Sequence, residues 1–179
     1  MLNSQGTALI VIDVQERLFP SIYMKDDLVK KLQPLIRGAQ ILKLPIILTE
    51  QVPQKIGKTI PEIAQILSET PPIAKNTFSC CGDAVFMKRL KHIGRKVVLI
   101  CGIETHVCVY QTAADLVHLG YSVQVVSDCV SSRTAHNKVI GLERIKDAGA
   151  SVTSVETALC ELLKKAEGKK FKEILDLIK

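Results

Sequence analysis

Apolar residues along this chain gather into short continuous runs separated by amphipathic stretches, a spacing that predicts strands alternating with helices. The run Ala8-Leu9-Ile10-Val11-Ile12 is short and apolar at every position, as in a strand buried on both faces. Between 27 and 44, Leu28, Leu32, Leu35, Ile36, Ala39 and Leu42 fall on one helical stripe, with Asp26 or Asp27 available as its cap. A strand is expected over 45–49, and a surface loop with Pro53 and Gly57 over 51–59. A short helix over 61–67, a strand near 73–74 and a helix over 82–92 follow. The spacing then predicts a strand over 96–101, a helix over 105–119 stopped by Gly120, and a strand over 121–127. The same rhythm continues with a helix over 134–148 ended by Gly149, a strand over 151–153, a helix over 156–165 and a final helical tail.

Strands joined by helices of ten or more residues need crossover connections, and right-handed crossovers build a parallel sheet with helices on both faces. The expected fold is therefore α/β and doubly wound (Rossmann-like) with six strands, and the order 3-2-1-4-5-6, one of those such sheets adopt, is the one expected here. That order places the C-terminal ends of the first and fourth strands side by side at the topological reversal, where ligands bind in such sheets.

Length and apolar content fit one domain over residues 1–179, with 165–179 as a C-terminal helical tail. No apolar run is long enough to span a bilayer, residues 1–6 do not resemble a signal peptide, and the six cysteines match no zinc or CxxC spacing. A soluble protein of a reducing, cytoplasmic compartment is expected, with no membrane partner. The net charge of +6 raises the question of nucleic acid, but residues 164–179 alone carry six Lys against Glu167, Glu173 and Asp176. Half of the excess thus sits on a solvated tail without interleaved aromatics, so no nucleic-acid partner is expected. In the same tail Phe171, Ile174, Leu175 and Ile178 recur at helical spacing and suit packing on the body or on another subunit.

Candidate chemistry lies at predicted strand ends. Cys108 follows the run Val97-Val98-Leu99-Ile100-Cys101 and falls where a helix should begin, a setting in which the helix dipole favours a thiolate. A free cysteine there also suits simple core filling. Asp13 ends the first apolar run and Lys75 follows Pro71-Pro72-Ile73-Ala74, so a carboxylate, an ammonium and a thiol can converge on one sheet edge. Taken singly, Asp13 also suits an ion pair with Arg17, and Lys75 a solvated loop charge. Other catalytic classes lack their residues: no glycine fingerprint follows the first strand, and neither Gly-x-x-x-x-Gly-Lys-Ser/Thr nor Gly-x-Ser-x-Gly occurs. A metal-dependent phosphoacceptor domain needs clustered carboxylates where only Asp13 stands.

Five segments together resemble the isochorismatase-like cysteine hydrolases, in particular the isochorismatase-domain-containing group. They are Leu9-Ile10-Val11-Ile12-Asp13-Val14-Gln15, Thr49-Glu50-Gln51, Lys75-Asn76-Thr77-Phe78-Ser79-Cys80, Gly102-Ile103-Glu104-Thr105-His106-Val107-Cys108-Val109 and Ser127-Asp128-Cys129-Val130-Ser131-Ser132-Arg133. The resemblance implies a catalytic triad of Asp13, Lys75 and Cys108. It also implies a cis peptide between Ile103 and Glu104, and an oxyanion hole from the N–H groups of Glu104 or Thr105, Val107 and Cys108. The expected activity is cofactor-independent hydrolysis of a C–N (amide) bond in a small molecule through a Cys108 thioester; the alternative is a silent member acting in binding or assembly. No cofactor is expected. Nicotinamidase-like relatives hold a metal with an Asp-x-His and a further His, whereas Glu50-Gln51-Val52-Pro53-Gln54-Lys55 has no His, so no metal is expected either. True isochorismatases replace the nucleophilic cysteine that Cys108 retains. Substrate contacts are expected from Phe19, Glu50, Gln51, Phe78 and His106; for Glu50 and Gln51 a loop-ordering hydrogen bond, and for the two aromatics core packing, are the competing roles. Arg133 is expected to pair with a carboxylate, Cys80 and Cys81 to be structural, and the chain to form a homo-oligomer, a dimer or larger.

Overall fold

The computed structural model describes residues 1–179. It contains a six-stranded parallel sheet in the order β3-β2-β1-β4-β5-β6. The strands are β1 (Thr7–Ile12), β2 (Ile46–Gln51), β3 (Ile73–Lys75), β4 (Val97–Ile103), β5 (Ser122–Ser131) and β6 (Ser151–Thr153). The connecting helices are α1 (Lys25–Ile41), α2 (Pro53–Ile56), α3 (Pro61–Ala64), α4 (Ala84–Ile93), α5 (Tyr110–His118), α6 (Ala135–Asp147), α7 (Val155–Leu163) and α8 (Gly168–Ile178).

The central strands β1 and β4 are apolar at every position but Thr7 because both of their faces are covered. Alternate side chains enter opposite cores: Leu9 and Val11 of β1 join one with α1 and α7, while Ile10 and Ile12 join the other with α4, α5 and α6. The tail helix α8 closes the first of these, its Ile174 fully buried against α1 and α7. No helix is long and apolar enough to cross a membrane.

Local departures from the expected elements have identifiable causes. Helix α1 begins after Met24 in a left-handed conformation without a side-chain cap, so neither Asp26 nor Asp27 caps it; both lie within the first turn, facing its positive end. Elsewhere Asp83, Thr134 and Ser154 cap α4, α6 and α7 by accepting from Phe86, Asn137 and Thr157 N–H groups. Strand β5 runs on to Ser131 rather than ending at 127, with a register shift against β4 between Ile100 and Gly102. The expected loop over 51–59 is anchored at both ends: Gln51 belongs to β2, Pro53–Ile56 forms a helical turn, and Thr59 is buried.

Two glycines set how closely the site segments pack. Gly102, at φ +118°, faces Ile12 of β1, and a Cβ there would overlap the Ile12 carbonyl oxygen. Gly141 lets α6 rest on the segment after β4, since a Cβ would lie 2.7 Å from the His106 nitrogen.

Candidate active site

The reversal between β1 and β4 brings three strand ends to one rim. Asp13 follows β1 in the left-handed region (φ 51°), a conformation Asp tolerates better than most residues. Its N–H donates to the Thr49 carbonyl at 3.2 Å, and its Oδ1 accepts from Thr49 Oγ1 at 2.7 Å. Lys75, the last residue of β3, reaches across β2 so that its Nζ donates to Asp13 Oδ2 at 2.6 Å, both side chains being fully enclosed. Asp13 therefore pairs with Lys75 and not with Arg17. The ammonium also meets Gln51 Oε1 at 2.7 Å and the carbonyls of Thr77 and Phe78 at 3.1 and 3.2 Å. Removing two charges from water is costly unless every donor and acceptor is matched, and here they are. Burial disfavours the ammonium, but Asp13, followed by Cys80 and Cys108, outweighs it and raises the Lys75 pKa.

Gln51 is fixed in turn. Its Nε2 donates to Asn76 O at 3.2 Å, its backbone N–H to Gln15 Oε1 at 2.7 Å, and Gln15 Nε2 donates to the carbonyls of Gln51 and Gly57 at 3.0 and 2.6 Å. Gln15 and Thr49 thus hold the two ends of the ion pair, roles that the sequence reading did not give them. The available signal was an uncharged polar residue, Thr49, closing an apolar strand, and another, Gln15, two positions beyond a strand-end Asp.

Cys108 lies in a π-helical turn, Thr105–Val109, that precedes α5, and is 7 % exposed. Its thiol is raised well above the ordinary range, first by burial and then by the Asp13 carboxylate, against which Lys75 works. The expected dipole-stabilised thiolate is therefore corrected to a resting thiol: the loss of water and the facing carboxylate outweigh the turn's positive end. Among the expected oxyanion donors, the Val107 N–H donates to the Glu104 carbonyl at 3.1 Å and leaves the set; the Val109 N–H shares that acceptor at 3.2 Å. The Ile103–Glu104 peptide bond is cis.

Behind this group, Cys80 is fully buried, with Sγ 4.0 Å from Thr49 Oγ1 and its N–H donating to Thr112 Oγ1 at 3.0 Å. Burial pushes its thiol up to about 12, and that of half-buried Cys81 to about 11. Glu104 is buried, and its carboxylate accepts from the Arg133 backbone N–H (2.8 Å), Nε (3.1 Å) and Nη2 (2.7 Å). Burial alone would raise the Glu104 pKa, but the Arg133 hydrogen bonds and charge lower it.

The expected substrate contacts divide. Glu50 takes up the loop-ordering role, its Oε1 accepting from Thr59 N–H and Oγ1, both at 2.7 Å. Gln51 is engaged by Lys75 as described, Phe19 packs at the margin of the larger core, and His106 Nδ1 lies 3.0 Å from Ser132 Oγ. Phe78 departs from core packing: its carbonyl meets Lys75, yet the residue is 56 % exposed. A cavity of about 270 Å³ opens between the segments leaving β1 and β4, lined by Arg17, Leu18, Ser21, Ile22, Glu104 and Arg133. A larger surface cavity, about 430 Å³, lies beside Pro45, Ile46, Pro72 and Val85, away from these groups.

A doubly wound sheet of this strand order has counterparts. Residues 7–157 match the isochorismatase domain, and the chain belongs to the isochorismatase family. It is 39 % identical to the secreted isochorismatase effector Isc1 of Phytophthora sojae, over 99 % of this chain and 87 % of that protein. Among solved structures it is similar to the MAR1 ribonuclease of Caenorhabditis elegans, with TM-score 0.93, 36 % identity, and 99 % of this chain and 91 % of that one covered. It is also similar to YcaC from Pseudomonas aeruginosa, a structure described with hexane-2,5-diol and covalent acrylamide, with TM-score 0.92, 25 % identity, and 98 % and 90 % coverage. Family membership supports a hydrolase.

Proposed function

We propose that residues 1–179 form one cysteine hydrolase domain that cleaves a C–N bond in a small amide, with Cys108 as nucleophile. The observation that carries this reading is the enclosed Lys75–Asp13 pair, 2.6 Å apart, beside a thiol that the Asp13 charge influences. Because Cys108 rests as a thiol, attack requires a base at the moment of bond formation. Asp13 takes the thiol proton as sulfur adds to the carbonyl carbon, while Lys75 holds the carboxylate in place and offsets the forming negative charge. Backbone N–H groups of Glu104 or Thr105 and of Cys108 stabilise the oxyanion. Asp13 then gives its proton to the departing nitrogen, the C–N bond breaks, and ammonia or an amine leaves behind a Cys108 thioester. Water activated by the same carboxylate hydrolyses the thioester to an acid and restores the thiol. These steps use groups of this chain alone.

The covalent acrylamide of the P. aeruginosa neighbour fits an addition-prone nucleophile in this fold. The C. elegans neighbour's name points instead to phosphodiester cleavage, so RNA belongs in the substrate panel. Ammonia release from small primary amides should be detectable with the wild-type chain and absent with Cys108→Ala. Acid quenching during turnover should trap an acylated Cys108 peptide by mass. Release that persists in Cys108→Ala, or RNA cleavage without amide cleavage, overturns the reading. Self-association belongs to the same proposal, with the neighbouring exposed Val139 and Ile140 of α6 as an apolar surface for it, and mass photometry tests it. A cytoplasmic location is proposed from the six free cysteines, and cell fractionation tests it.

A further inference from the structure

The cavity beside Glu104 is built unlike a neutral pocket. Its apolar side is half-buried Leu18 and buried Ile22, and its charged members are Arg17, Arg133 and Glu104. Arg133 and Glu104 match one another, since Nε and Nη2 of the guanidinium donate to the two carboxylate oxygens. Arg17 is different. Its Nη1 donates to the Lys55 carbonyl at 2.8 Å, a neutral acceptor, and it takes part in none of the chain's ion pairs. The adjacent Glu16 carboxylate is turned toward the Lys58 N–H, at 3.2 Å. One positive charge of the lining is thus left without a counter-charge.

The position is as telling as the charge. Arg17, Leu18, Ser21 and Ile22 belong to the segment that starts at Asp13, and Glu104 immediately precedes the turn that carries Cys108. The cavity therefore flanks the same reversal of the sheet as the thiol, and its volume of about 270 Å³ suits a fragment of a few heavy atoms. We infer that this cavity receives the anionic end of the substrate, with Arg17 as the specificity-determining cation, so that the substrates are small amides bearing a carboxylate. This rests on the proposed hydrolase reading and narrows its substrate class.

Two alkylating reagents of nearly equal size and unlike charge test it on the full chain. The rates at which iodoacetate and iodoacetamide modify Cys108, read by peptide mass mapping, give an anion preference as their ratio. Arg17→Gln should lower that ratio roughly fourfold at low salt, the factor expected from one unit charge acting across a short hydrated gap. Arg17→Lys should retain most of it, and the wild-type preference should shrink at high salt. A ratio unchanged by Arg17→Gln overturns the inference, as does an equal loss in Arg17→Lys, which would assign the effect to the Lys55 contact. Isothermal titration of succinamate into Cys108→Ala gives a second measurement. Binding should weaken about fivefold on adding Arg17→Gln, a single-charge effect of the same order, and no weakening overturns the inference. If Cys108 takes neither reagent, the proposed nucleophile fails, and the succinamate titration alone decides the anion site.

Discussion

Two ion pairs stand on the same rim of the sheet and have opposite surroundings. Lys75–Asp13 is fully enclosed on both sides, whereas Arg133–Glu104 joins a buried carboxylate to a guanidinium side chain that is 62 % exposed. The outer pair works as a fastener: water can replace much of what the exposed Arg133 loses, and the pair ties the end of β4 to the start of the β5–α6 connection. The inner pair has no such substitute, so Thr49, Gln51, Thr77 and Phe78 supply its remaining partners. An arrangement of this kind contributes little net stability relative to apolar packing, yet is destabilising to break. In the proposed mechanism its value lies in fixing the position of the Asp13 carboxylate.

The widest separation between the two regions should come from Asp13→Asn. Hydrolysis should fall by about 10³-fold or more, as in other catalytic units that act together. An uncompensated Lys75 ammonium should lower unfolding free energy by about 3–5 kcal/mol, read from urea denaturation. A midpoint equal to wild type would make the inner pair no different from a surface bridge. Thr49→Val leaves the pair intact but strips one acceptor of its donor, and a loss of about 1–3 kcal/mol is expected in the same measurement.

At the outer pair the prediction concerns pH. The Glu104 pKa is lower in the folded chain than in the unfolded one, so its contribution is present above the ordinary carboxylate range and is lost as pH falls through the lowered value. Glu104→Gln should flatten that acid limb of the stability profile and cost about 1–2 kcal/mol at neutral pH. An unchanged acid limb would remove the fastener role. The smallest effect belongs to Lys30–Asp27, whose side chains are 74 % and 57 % exposed. Lys30→Gln should shift stability by at most ~0.5 kcal/mol, and a larger shift would undo the ranking by enclosure.

What was legible in the residues follows the same division between pattern and surroundings. Continuous apolar runs mark β1, β2 and β4, and the rhythm of strands and helices marks a parallel, doubly wound sheet, because both depend on period and length; the strand order, which several such sheets vary, is not contained in that rhythm. Asp13, Lys75 and Cys108 were visible as polar or reactive residues at the ends of such runs. The environment of Cys108 was not, because a helix start and a buried turn look alike in one dimension while the burial that raises its pKa comes from distant segments. The reach of β5 to Ser131 was hidden for a related reason: Ser127 and Asp128 interrupt its apolar pattern, and pairing with β4 resumes beyond them. Phe78 shows the limit from the other side, since an aromatic expected as a substrate contact, with core packing as the competing role, is exposed while its carbonyl meets Lys75.

The seat of α6 on the thiol's turn has a mechanical consequence. At Gly141 the helix main chain meets that of Thr105 and His106 with no side chain between them; a methyl group there would sit 2.7 Å from both Thr105 C and His106 N. Flexible side chains ordinarily act as cushions between neighbouring segments, and this contact has none. A tilt of α6 is therefore expected to reach the backbone of the turn that carries Cys108 undamped, which couples the outer surface of that helix to the seat of the proposed nucleophile.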